Sequence, residues 1–250
     1  MNFIQAVAAA RRVPVAPSGI ITTNLLYHVD PDNSASYPGS GLTWYDLANS
    51  YNFALAGGMD TSYNPGSPSY FDLDGLNDYA TLGDQLDMGT NSFTLFAWIS
   101  ADATITTSVF AGKSAATAGP GRYHASLNGA AGFIRANFYP NSTIGAFLAD
   151  GTTDVRGAGW VNVCVVWDRS GDMEVWVNNT KEAAVNISAH SSYNMQNSYA
   201  YLLGCFNSGL GVPVSLPFNG KMGQVAMYNA ALTPSQIAQN WNATRGIYGL

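Results

Sequence analysis

From Ile20 onward the chain is written as short runs of β-branched and aromatic residues, broken about every 8–15 residues by Gly, Pro, Asn or Asp. "ITTNLLYHV", "SYFDLDG", "SFTLFAWIS", "SVFAGK", "RYHASLNG", "GFIRANFY", "IGAFLAD", "WVNVCVVWD", "MEVWVNN", "AYLLGCF" and "GQVAMYN" are the clearest. Runs of this length suit strands and are too short for helices, so the pattern predicts an all-β sandwich or barrel. In "SFTLFAWIS", Phe93, Leu95, Ala97 and Ile99 share one face while Thr94, Phe96 and Trp98 share the other. Both faces are therefore covered, which predicts a central strand between two layers. "WVNVCVVWDRSGDMEVWVNN" predicts a hairpin that turns at Asp168-Arg169-Ser170-Gly171, with Gly171 able to take a positive φ. Trp160, Trp167 and Trp176 load that hairpin with aromatic surface for packing.

The chain ends differently. After the strand Gly223 to Tyr228, Thr233-Pro234-Ser235-Gln236 predicts a capping box with proline in the first helical position. Ile237 and Trp241 are spaced i, i+4 and predict one apolar face against the sheet, with Gly246 ending the helix. At the other end, Ile4 to Arg12 can form about two helical turns before Pro14 and Pro17 stop them. This segment has too little apolar surface to fold alone, and reads either as a frayed tail or as an arm that docks on a partner through Phe3, Ile4, Val7 and Val13. The expected organisation is an N-terminal arm, residues 1–19, and one domain, residues 20–250. No repeat with a period of about 20–50 residues divides the domain.

Composition narrows the functions. Charged residues make up 10% of the 250, against about 25% in ordinary soluble domains, so Ser, Thr, Asn, Gly and Tyr cover the surface, as in secreted or virion proteins. The net charge is -6, which provides no basic field for a nucleic acid backbone. No run of about 18 apolar residues predicts a membrane span, and Arg11 and Arg12 follow the first apolar stretch where a signal peptide would have them precede it. Cys164 and Cys205 lack partners at metal-ligand spacing. They either bridge neighbouring strands or stand as two buried thiols, the reading preferred here because a free cysteine packs as a small hydrophobe.

No catalytic pattern emerges. The only glutamates are Glu174 and Glu182, whereas glycoside hydrolysis takes two facing carboxylates about 5–9 Å apart. Gly112-Lys113-Ser114 imitates the end of a phosphate loop, but Thr107 stands where its first glycine belongs. Serines near His124 or His190 form no nucleophile elbow. The expectation is a protein that is not an enzyme.

Four segments together resemble the laminin-G/concanavalin A-like jelly-roll superfamily: "LLYHVDPDNSASYPGSGLTWYDLANSYNFALAGG", "SYFDLDGLNDYATL", "FTLFAWIS" with "GWVNVCVVWDRSGDMEVWVNN", and "FNGKMGQVAMYNAALTPSQIAQNWNATRGIYGL". The stretch Y-P-G-S-G-x-x-W-x-D-L and the ending N-A-x-x-G-x-Y-G-L are similar to single-domain forms in tailed-bacteriophage structural proteins. The resemblance implies a two-sheet antiparallel jelly-roll sandwich with a short C-terminal helix. It also implies glycan binding and, in some branches, a calcium ion or glycan hydrolysis, although the E-x-D-x-x-E pattern of related glucanases is missing here.

For glycans, the loop candidates are Tyr37, Trp44, Tyr45, Tyr63, Tyr70, Tyr139 and Asn141. For calcium, the candidates are Asp46, Asp72, Asp74, Asn77 and Asp78, with Gly223-Gln224 lacking the acidic residue that the closing strand of the family usually carries. The resulting expectation is a virion-surface protein of a tailed phage. It would be a head decoration or cement protein that forms homo-oligomers and docks on capsid or other virion proteins through its arm. The alternative is a carbohydrate-binding module of a tail fibre or adhesion appendage that meets host surface glycans.

Overall fold

The computed structural model describes residues 19–114, 120–209 and 212–250. The proposed docking residues Phe3, Ile4, Val7 and Val13 lie outside them. In chain order the first strands are β1 (Leu25–Val29), β2 (Thr43–Trp44), β3 (Phe53–Ala56), β4 (Tyr63–Asn64), β5 (Tyr70–Asp74) and β6 (Tyr79–Gly83). Next come β7 (Phe93–Ala101), β8 (Ser108–Lys113), β9 (Arg122–Asn128), β10 (Phe133–Tyr139), β11 (Phe147–Asp150) and β12 (Val161–Trp167). The last are β13 (Asp172–Val177), β14 (Thr180–Asn186), β15 (Tyr201–Leu203), β16 (Phe206–Gly209), β17 (Val212–Ser215) and β18 (Asn219–Tyr228), followed by α1 (Pro234–Thr244).

Two antiparallel sheets make a sandwich. The first runs β14-β13-β12-β7-β18-β5-β4, and the second β11-β10-β9-β8-β15-β6-β3-β2. The long strand β18 serves two partners on one edge: its first half pairs with β5, and its second half, past an irregularity between Met222 and Val225, pairs with β1. β16 and β17 form a separate hairpin.

The alternation in β7 does what its sequence predicts. Phe93, Leu95, Ala97 and Ile99 enter the core between the sheets, where Trp167 stacks on Phe93 with ring centroids 4.7 Å apart. The hydroxyls of Tyr27 and Tyr201 bond each other at 2.8 Å inside this core, and burial pushes both well above the usual phenol range. Phe96 and Trp98 point to the other face, where α1 covers them. The Thr233 cap and the Gln236 side chain form the predicted capping box, Ile237 is fully buried, and Trp241 stacks on Trp98. Trp98 Nε1 also donates to Thr244 Oγ1 at 2.9 Å, which locks the last turn of α1 onto the sheet.

The β12–β13 hairpin forms as predicted, but Gly171 does not use a positive φ. The left-handed residues are Asn178 (φ 47) and Asn179 (φ 64) at the next turn, the combination a two-residue type I′ hairpin requires. Cys164 and Cys205 are free and buried. Lys113 of the apparent phosphate loop is buried and ion-paired with Asp84 (2.7 Å) and Asp87 (2.6 Å). No helix among the described residues is long and apolar enough to cross a membrane.

Candidate functional site

A depression of about 720 Å³ opens where β1 and the end of β18 approach the end of β6. Leu26, Tyr51 and Leu82 form its apolar floor and pack against the core from its edge. Asn24, Gln85 and Asn229 stand around that floor, and Asn91 joins them in a contiguous depression of about 340 Å³ that shares Leu26, Tyr51, Gln85 and Asn229. These four amides are exposed, and their side chains make no hydrogen bond to protein among the described residues. Each offers both donors and acceptors, the pairing a hydroxyl-rich ligand needs.

Asp46 builds one wall. Its Oδ1 accepts the backbone N–H of His28 and Ala48, both at 2.8 Å, and its Oδ2 accepts those of Asn49 (2.8 Å) and Tyr51 (3.2 Å). Asn49 then donates to the carbonyls of Leu25 and Leu26 at 3.0 and 2.7 Å, tying the loop to β1. The opposite wall, around Leu86 to Asn91, is held by Arg169. Its guanidinium is buried, lies 4.9 Å from the Phe138 ring centroid, and donates to the carbonyls of Gly89, His190, Ser191 and Tyr193.

The glycan candidates named from sequence do not converge here. Tyr37 and Trp44 are corrected to core residues, 1% and 0% exposed, packed on Phe71, so neither offers a ring face to a sugar. Tyr63 is half-buried against Tyr37 and Phe71. Tyr45 is exposed. Tyr70 packs edge-on against Trp160 under the Lys221 ammonium, and Tyr139 lies on the second sheet between Arg122 and His124. Asn141 closes its own turn by accepting from the Thr143 and Ile144 N–H groups.

Four of the five calcium candidates are engaged in local hydrogen bonds. Asp46 is saturated by four N–H donors, Asp74 Oδ1 accepts from Leu76 and Asn77, Asp78 Oδ2 accepts from the Asp74 N–H, and Asn77 donates to the Gly57 carbonyl. Asp72 is exposed on β5. Among the described residues no group of three or more His, Cys, Asp or Glu is placed to hold a metal ion. The two glutamates are similarly engaged: Glu174 by Trp176 and Lys181, Glu182 by the Thr152 and Thr153 loop.

A family profile described as the concanavalin A-like lectin/glucanases superfamily, of laminin G type, matches residues 74–238. The chain belongs to this superfamily. Similar solved structures of this lectin-like fold include the binding domain of Paraclostridial Mosquitocidal Protein 1, with TM-score 0.68 and 13% identity over 90% of this chain and 55% of that one. The binding domain of botulinum neurotoxin serotype D/C VPI 5993 has TM-score 0.63 and 13% identity, covering 88% of this chain and 52% of that one. The binding domain of botulinum neurotoxin DC in complex with SialylT has TM-score 0.64 and 12% identity, covering 89% and 52%. The superfamily member described here thus spans about half the length of these binding domains, and at such identities the likeness is one of fold. Curated protein sequences contain no match to the chain.

Sequence reasoning missed the groove-lining residues Asn24, Leu26, Tyr51, Leu82, Gln85 and Asn229. The one local signal was "LANSYN", a loop dense in amides with a tyrosine, immediately after the Trp44-Tyr45-Asp46 stretch.

Proposed function

We propose that the chain is a non-catalytic carbohydrate-binding module that holds a glycan in the groove between Tyr51 and Asn229. The observation that carries this reading is the ring of amides with no protein partner around the floor of Leu26, Tyr51 and Leu82. An apolar floor receives the C–H face of a sugar, and a few placed amides sort its hydroxyls, the general composition of a small-ligand site. Membership of a lectin superfamily and likeness in fold to toxin binding domains support the reading. Screening the full chain on a glycan array, followed by titration calorimetry of each hit against Asn229→Ala and Gln85→Ala, tests it. Both substitutions are at exposed positions, so the fold stays intact while affinity falls; an array without hits, or hits indifferent to both substitutions, overturns it.

The wider setting we propose is the surface of a tailed-phage particle, as a head decoration protein or as part of a tail fibre. It is supported by the phage-like sequence segments and the low-charge polar surface. The attachment would run through residues 1–19. Gly19 and Ile21, at the start of the described residues, are held by Gln239 and Asn240 of α1. Adding the full chain, or a chain lacking residues 1–19, to particles stripped of this protein and imaging them by cryo-electron microscopy tests the docking; density with both or with neither overturns it.

A further inference from the structure

The groove continues beyond the amide ring. Asp84 lines both the 340 Å³ depression and a third one of about 290 Å³ on the outer side of the second sheet, bounded by Tyr79, Thr81 and Ser198. Three depressions therefore follow one another, the first two sharing four lining residues and the last two sharing Asp84. A single small ligand fills about 300–1,000 Å³, so the line as a whole exceeds what one sugar unit needs.

Its charge is one-sided. Among the described residues the only charged side chains lining the three depressions are Asp84 and Asp87; their cation partner, Lys113, has no exposed side-chain surface and binds Oδ1 of each. This arrangement fixes both carboxylates from behind and leaves Oδ2 of each without a protein donor among the described residues. Fixed carboxylate oxygens accept hydroxyl protons strongly. The same carboxylates, with no exposed cation among the lining residues to offset them, repel a sialic acid, a uronic acid or a sulfated sugar.

On the reading of the groove as a glycan site, we infer that its ligand is an uncharged oligosaccharide several units long, lying from the Tyr51 floor across Asp84 and Asp87 to the Tyr79 depression. The test titrates the full chain with a neutral oligosaccharide series of increasing length, chosen from array hits, and with sialylated and uronic acid-containing chains of matched length. Ser198→Trp, an exposed position, fills the third depression. We expect affinity for the neutral series to rise at least tenfold from the shortest to the longest member, about 1.4 kcal/mol. Ser198→Trp should remove that rise and leave the shortest members unchanged, and acidic chains should bind more weakly than neutral ones. Neutral binding with no dependence on length, or a rise that survives Ser198→Trp, overturns the extended site while leaving glycan binding in the first depression intact. Acidic chains binding more tightly than neutral ones overturn the charge assignment. Failure of every glycan in the array and the series overturns both this inference and the reading beneath it.

Discussion

Arg169→Met removes a buried cation that no ion pair among the described residues neutralises. The cost can be worked from its acceptors. Gly89 O keeps a bond from Met195 N and His190 O keeps one from Tyr193 N, while Ser191 is exposed and its carbonyl can turn to water. Only Tyr193 O is stranded, at about 1–3 kcal/mol. Losing the contact with Phe138 adds about 0.5–2 kcal/mol, and methionine recovers part of the packing. The expected loss is about 3 kcal/mol, or roughly 6–12 °C in Tm for a chain of this size. Arg169→Lys keeps the charge but has one nitrogen in place of the fork, so it should lose about half as much. Urea unfolding followed by tryptophan fluorescence, with calorimetry for Tm, measures both. The groove should respond as well, because Arg169 ties Gly89 to the 190–193 loop behind the Leu86–Asn91 wall. If Arg169→Met unfolds within about 1 kcal/mol of the parent, the assignment of Arg169 as the clamp between these loops is wrong.

Asp46→Ala should cost about 2 kcal/mol by releasing four backbone N–H groups, that of His28 in β1 and three in the 48–51 loop, and should speed hydrogen exchange at Ala48, Asn49 and Tyr51; unchanged exchange there would count against its organising role. Burial, reinforced by Arg122 and Arg135, pushes the His124 imidazole down to about 3 from its ordinary value near 6.5. The folded state therefore binds fewer protons than the unfolded one in that window, and the associated stability is present above about pH 6.5 and lost as pH falls towards 3, by at most about 1.4 kcal/mol per pH unit. His124→Gln should flatten this part of the urea-midpoint profile, and an unaltered slope would refute the assignment. Burial raises the thiol of Cys164 above the usual range and pushes that of Cys205 up to about 12, so a thiol-specific chromogenic reagent at neutral pH should leave both unreacted until the protein is denatured.

The elements legible in the sequence are those whose instructions are local. The two hydrophobic parities of β7 announce a strand covered on both faces, and Thr233-Pro234-Ser235-Gln236 announces the start of α1, because side-chain alternation and helix capping act over a few residues. Turn chemistry was partly legible. The turn at Asp168 formed without a positive φ at Gly171, and the left-handed pair went to Asn178-Asn179, where the next hairpin's twist demanded it.

Tyr37 and Trp44 stand among Gly, Pro and Ser in a stretch that reads as exposed loop, yet they are core, because the segment folds back over Phe71 and buries them. The groove joins β1, the 46–52 loop, the end of β6 and Asn229, residues distant in sequence that meet only after β1 has paired with the second half of β18. Composition and periodicity thus determined the layers, the strands and the closing helix, since hydrophobic burial and capping are decided residue by residue along the chain. Which amides lose every protein partner, which carboxylates become ties within loops and which aspartates a buried lysine holds were decided only by the tertiary structure, because hydrogen-bond saturation depends on neighbours that the order of the chain does not specify.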